Sequence, residues 1–191
     1  STNFGTNQMR LVLKMLGHHP HTPHTWTMFN KPEKIFHIVK AKTDYLYERY
    51  EEPITLMGWC AGGVFTRMTA HAIPDKVRQV INMGSARSGR TYEPLSPKHL
   101  RYTGREPLPV PSTVIYSRTD GLNNWRNVVE DPGPQTENIE VFSSHLGMAN
   151  HPHTLHILAD RLAQPLGEWA PYQGMISTTK SEAPGRPVRV A

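Results

Sequence analysis

Cys60, Asp120 and His145 are the residues of this 191-residue chain whose types and surroundings could do covalent chemistry together. Cys60 lies in Gly58-Trp59-Cys60-Ala61-Gly62, a glycine–x–nucleophile–x–glycine pattern with cysteine where serine is usual. Pro53-Ile54-Thr55-Leu56-Met57 before it reads as a short buried strand, and residues 63–71 after it read as a helix. Strand, tight turn and helix are the setting of a nucleophile elbow. There the nucleophile occupies a strained turn, and Gly58 and Gly62 are expected to leave room for the strand and helix backbones to approach. The thiol would then sit at the carboxyl end of a strand, facing a helix N-terminus whose dipole favours thiolate.

The partners follow in the order nucleophile, acid, histidine. Val114-Ile115-Tyr116 is an apolar, β-rich run that leads to Asp120-Gly121, and Ile139-Glu140-Val141-Phe142 leads to Ser144-His145-Leu146-Gly147. In a parallel sheet these strand ends share one edge, the edge where ligands bind. The expected roles are His145 as the base that takes the Cys60 proton and Asp120 as the group that fixes the imidazole tautomer. The Ala61 amide would donate to a developing oxyanion, with a second donor from the loop around residues 1–5 or whatever precedes it. Trp59 and Leu122 are candidates for the substrate-binding wall, with plain packing an equal alternative. Asp131 is the rival acid, and His151, His153 and His156 are the rival histidines. His18, His19, His21 and His24 form a cluster, but prolines interrupt it and its spacing fits no structural zinc pattern, so a solvated loop is expected and neither a metal nor a cofactor.

Four segments, Gly58–Gly63, Val77–Ser85, Tyr116–Gly121 with Trp125, and Ser144–Gly147 with Asn150 and Pro152, resemble bacterial α/β-hydrolases of the lipase and esterase type. Asp160–Pro165 and Glu168-Trp169 extend the likeness, which covers about residues 8–172 with its motifs in order. The resemblance implies an α/β-hydrolase fold, a mostly parallel doubly wound sheet, and the same three residues, Cys60, Asp120 and His145, as the triad. Those relatives mostly carry serine at the position of Cys60 and leucine at that of Ala61. A cysteine elbow is instead similar to polyhydroxyalkanoate synthases and dienelactone hydrolases, and an engineered replacement of serine would read the same.

The resulting expectation is an enzyme that transfers acyl groups from a small ester or thioester through an acyl-enzyme intermediate. The alternatives are a polyester-synthase-like acyltransferase that hands the acyl group to a hydroxyacyl acceptor, and a non-catalytic, hydrolase-like binding or assembly subunit. The formal charge of +5 comes from scattered basic residues without interleaved aromatics, which argues against a nucleic-acid partner. No apolar run approaches the roughly 20 residues of a membrane span. No signal peptide is visible and the single cysteine gives no sign of an oxidising compartment, so a cytoplasmic location is expected.

The positioning elements are read as one domain over residues 1–172, with a Pro-, Arg- and Gly-rich stretch, 86–111, as a short cap or lid. Helices are expected over 8–17, 32–50 and 154–163, and strands over 25–29 and 77–84. Ile35, Ile38, Val39, Leu46 and Tyr50 are the candidate core contacts of the second helix. Residues 173–191 read as a tail that wraps the surface or is disordered. Residues 1–8 look like the far end of the oxyanion loop, so the N-terminal strands of the fold, including the central one before that loop, would be lacking. A neighbouring segment, a partner chain or a homo-oligomer would have to fill the gap, because an unpaired edge beside the nucleophile strand is costly.

Overall fold

Ile54–Trp59 (β2) and Val77–Met83 (β3) are almost wholly buried, as strands sandwiched between helices must be. In a computed structural model of the chain, described over residues 3–23, 32–87, 106–174 and 189–190, they form the middle of a six-stranded sheet whose described pairings between strands are all parallel. The sheet adds Ser112–Tyr116 (β4) and Thr136–Glu140 (β5) on one side. On the other side lie His19–Pro20 (β1) and Arg189–Val190 (β6), giving the order β1-β6-β2-β3-β4-β5. The helices are Asn7–Met15 (α1), Pro32–Tyr50 (α2), Gly62–Ala72 (α3) and Pro152–Ala163 (α4).

Alternation along the strands divides the core into two layers. Trp59, Ile81, Met83 and Ile115 face α1 and α4, where Met9, Leu13, Ile157, Leu158 and Leu162 complete a cluster. Ile54, Leu56 and Val80 face the opposite way and meet Leu46 of α2 and Ala70 of α3. Phe36, Val64, Phe65 and Met68 lock α2 against α3. Each such side chain removed from water contributes about 1.5–3 kcal/mol, so the two layers hold the sheet between the helix pairs.

The expected helices form with small shifts at their ends, and the expected strands at 53–57, 77–84, 114–116 and 139–142 are all present, β4 and β5 starting earlier than read. In α2 the expected contact Leu46 is buried, and Ile35, Ile38, Val39 and Tyr50 are half-buried, Ile35, Val39 and Tyr50 packing against the core; the reading omitted Phe36 and Thr43, the other buried side chains of the helix. The last described residues of the tail, Arg189–Val190, pair with Thr55 of β2 on one side and with His19 and Pro20 on the other. The expected strand at 25–29 and most of the 86–111 cap lie outside the described residues. Among the described residues, no helix is long and apolar enough to cross a membrane.

Candidate functional site

The chain leaves β2 at Trp59 and enters α3 at Gly62, so the two residues between must reverse its direction. Cys60 does so at φ 55°, in the left-handed region that a side chain rarely adopts. Its amide still donates to the Met83 carbonyl at 3.1 Å, which ties the strained residue to β3. The close approach of strand and helix falls on Gly58 and Gly63. A Cβ on Gly58 would come within 2.4 Å of the Gly63 Cα, and one on Gly63 within 2.3 Å of the Ser85 Oγ. A Cβ on Gly62 would meet nothing within 4 Å. The expectation that Gly62 supplies the clearance is therefore corrected. Gly62 points outward at the start of α3, and the next glycine faces β3.

α3 is anchored from below. Arg67 is buried, and its Nε donates to Glu130 Oε1 at 2.9 Å while its Nη atoms reach Ser85 Oγ, the Ser85 carbonyl and the Gly63 carbonyl at 3.3–3.4 Å. Ser112 Oγ donates to the other Glu130 oxygen at 2.7 Å. Thr66 Oγ1 donates to Asn82 Oδ1 at 2.8 Å. The helix that follows the thiol is thus bonded to the ends of β3 and β4.

Asp120 and His145 meet beyond the carboxyl ends of β4 and β5. His145 Nδ1 lies 2.8 Å from Asp120 Oδ2, both side chains are buried, and the His145 amide donates to the Asp120 carbonyl at 2.8 Å. The other carboxylate oxygen, Oδ1, accepts the amides of Leu122 at 2.9 Å and Asn123 at 2.6 Å. Asn123 closes this turn by donating Nδ2 to the Gly84 carbonyl at 2.8 Å. Gly84, at φ 53°, leaves the space the pair occupies: a Cβ there would lie 3.0 Å from Asp120 Oδ2 and 3.2 Å from His145 Nδ1. Trp59 stacks on the imidazole, ring centroids 5.7 Å apart, and donates Nε1 to the His145 carbonyl at 3.1 Å.

These contacts leave His145 Nε2 buried and without a hydrogen bond of normal geometry, and the thiol is the group that perturbs this imidazole most. Hydrogen bonding to Cys60 raises the His145 pKa above its ordinary value; burial opposes the rise and Asp120 adds to it. Reciprocally, hydrogen bonding to His145 lowers the Cys60 pKa against the opposing effect of burial, and the Ala61 backbone N–H also favours the thiolate. The two shifts share one cause, since each charged form stabilises the other.

The rivals are used elsewhere. Asp131 is exposed and pairs with Arg87 at 2.7 Å. His151 precedes the first turn of α4, and His153 and His156 pack against the Tyr172 ring. Of the histidine cluster, His18 is buried, His21 Nε2 lies 3.0 Å from Tyr50 Oη, and His24 is outside the described residues. Leu122 stands exposed on the rim, as do Leu146 and Phe142. Gly5, in the 3-10 turn Asn3–Thr6, lies against the Trp59 ring, where an added Cβ would come within 2.6 Å of it. Its carbonyl accepts Asn150 Nδ2 at 3.1 Å, so the chain's first described turn borders the site.

Reasoning from the sequence missed Gly63, Gly84, Asn123 and the Arg67–Glu130 pair. Gly84 directly after a strand was a turn signal of the usual kind. The Arg67–Glu130 pair, 63 positions apart, left no local signal.

No protein-family model matches the chain, and no curated protein matches it. Solved structures do. The esterase domain of a Rhodothermus marinus protein superposes with a TM-score of 0.55 at 18% identity, over 76% of this chain and 73% of its own. The pyrethroid hydrolase PytH gives 0.54 at 15% identity, over 82% and 90%. A metagenome-derived lipolytic enzyme of the LipS and LipT pair gives 0.52 at 15%, over 74% and 81%. At these identities the likeness is one of fold, and the fold is that of the α/β-hydrolases.

Proposed function

We propose that this α/β-hydrolase-fold protein transfers acyl groups from small esters or thioesters, with Cys60 as nucleophile, His145 as general base and acid, and Asp120 as the group that orients His145. The observation that carries the reading is the His145–Asp120 contact at 2.8 Å, with the remaining ring nitrogen buried and the imidazole coupled to a thiol held at positive φ. His145 takes the thiol proton through Nε2 as sulfur attacks the carbonyl carbon, and the Ala61 N–H at the start of α3 receives the oxyanion. The intermediate collapses by breaking the carbon–oxygen or carbon–sulfur bond of the substrate, and His145 returns the proton to the leaving group. Water then attacks the acyl-enzyme with the same imidazole as base, the bond from the acyl carbon to Cys60 Sγ breaks to release the acid, and His145 returns the proton to the sulfur.

Thioesters and activated esters suit this site better than plain esters. A thiolate leaves more readily than an alkoxide, so the tetrahedral species from a plain ester falls back towards substrate. The three exposed apolar side chains at the rim, Leu122, Phe142 and Leu146, favour an acyl chain over a polar acid. The test is intact-mass analysis after brief exposure to a short-chain acyl thioester. One acyl group should appear on Cys60 and disappear with time, with the rate reduced about 100-fold or more in His145→Ala. Acylation that proceeds equally without the imidazole would replace this reading with that of a binding subunit bearing an ordinary thiol. Release onto a hydroxyacyl acceptor in preference to water would replace hydrolysis with polyester-synthase-like transfer.

A further inference from the structure

A second cleft, of about 250 Å³, lies at the end of the sheet opposite Cys60, where β3, β4 and β5 begin and α4 ends. Arg78 lines it from β3, Gln135 from the position before β5, and residues 164–169 from the segment after α4. Pro53, just before β2, also lines it, so the length of β2, about 20 Å at the rise of a strand, separates this cleft from the thiol. Arg78 is half-buried, and burial holds its guanidinium below the ordinary arginine value, with Glu52 opposing through space. One Nη donates to the Gln164 carbonyl, and among the described residues no carboxylate makes an ion pair with Arg78. Trp169 lines the same cleft, and its Nε1 is buried without a hydrogen bond. A desolvated cation and a buried N–H that lacks an acceptor are both costly to leave so.

We propose that this cleft binds a small organic monocarboxylate, held by the Arg78 guanidinium and the Trp169 indole N–H. A carboxylate is planar and offers two oxygens to the guanidinium fork, with lone pairs left over for the indole. Glu168 also lines the cleft, and its charge selects against a multiply charged anion such as phosphate. Pro111, Pro165 and Leu166 give the hydrocarbon part of the acid an apolar wall. The volume falls below the range of about 300–1,000 Å³ typical of ligand pockets, so the occupant is small. This site is independent of the thiol chemistry: none of its lining residues belongs to the triad or to the elbow.

Titration of the full chain with benzoate at constant ionic strength tests this, read from the indole N–H resonances in nitrogen–proton correlation spectra. The chain has four tryptophans, and Trp169→Phe identifies the resonance of interest. The Trp169 resonance should move saturably while that of Trp59, beside the triad, stays in place. Benzyl alcohol, which keeps the ring and lacks the charge, and inorganic phosphate should each bind about tenfold more weakly or worse. Arg78→Met should weaken benzoate by about tenfold or more, and Arg78→Lys, which keeps the charge without the fork, by less. If Arg78→Met does not fold, the ligand series and Arg78→Lys decide the matter on their own. A Trp169 resonance that ignores benzoate would overturn the proposal, as would benzyl alcohol or phosphate binding as tightly, or an affinity that Arg78→Met leaves unchanged. A response at Trp59 alone would place the acid at the triad end and overturn it equally.

Discussion

Exchanging one glycine for alanine at adjacent positions should give opposite results at the elbow. In Gly63→Ala the new methyl would meet Ser85 Oγ at 2.3 Å, Ser85 Cβ at 2.4 Å and Asn82 Oδ1 at 2.8 Å, all inside any tolerated contact. None of these can retreat easily. Ser85 is fully buried and bonded to Arg67, and Asn82 accepts the Thr66 hydroxyl. The helix must lift from β3 instead, at the cost of an overpacked core site, about 1–3 kcal/mol. For a domain of this size each kcal/mol lowers the melting temperature by about 2–4 °C, so a fall of about 2–12 °C is expected. In Gly62→Ala the methyl enters open space on the first turn of α3, and the better helix former should leave stability unchanged or raise it by up to about 1 kcal/mol. Thermal unfolding followed by circular dichroism reads both, and Cys60 alkylation should slow only in Gly63→Ala. If Gly62→Ala destabilises as much as Gly63→Ala, or if Gly63→Ala melts with the parent, the packing described for the elbow is wrong.

Other perturbations follow from the same geometry. Glu130→Ala strips the buried Arg67 of its carboxylate and should cost about 3–5 kcal/mol by denaturant titration, whereas Arg67→Met combined with Glu130→Ala should cost clearly less than the sum of the single changes. Asp120→Asn keeps acceptors for the Leu122 and Asn123 amides but can turn an amide N–H towards His145 Nδ1, placing the imidazole proton on Nε2. Acylation of Cys60 should fall by about 10²–10⁴-fold, with little change in melting temperature. Trp59→Phe removes the bond to the His145 carbonyl while keeping a ring against the imidazole. A loss of about 1 kcal/mol and a modest drop in acylation rate are expected, and a large drop would show that the indole N–H sets the imidazole position.

The sequence displayed what depends on short-range pattern. Apolar runs placed β2, β3, β4 and β5. The glycine-flanked cysteine marked the turn between β2 and α3, and the positions of Asp120 and His145 just beyond strands brought them to one rim. What escaped depends on direction or distance. A spacing of glycines announces a close approach, but which Cβ vector meets the neighbouring strand depends on the helical phase of α3, and that phase picks Gly63 over Gly62. The inward stripe of α2 is set by how the helix rolls against Val64 and Phe65, so Phe36 is buried there while Ile35 and Val39 pack half-buried at its margin. Arg67 reads as an ordinary helix-surface residue until Glu130 arrives from a distant loop. The tail strand is two residues long, too short for any periodicity to announce it.

The central claim is that thiol and imidazole act as a coupled pair, and the pH dependence of Cys60 alkylation by iodoacetamide reads that coupling without reference to substrate. Because His145 favours the thiolate, the alkylation rate of the parent should rise through a midpoint below that of an ordinary thiol, about 8.5. In His145→Ala the midpoint should move up, since burial then acts on the thiol without its partner. Superimposable profiles for the two proteins, both centred at or above the ordinary thiol value, would contradict the account.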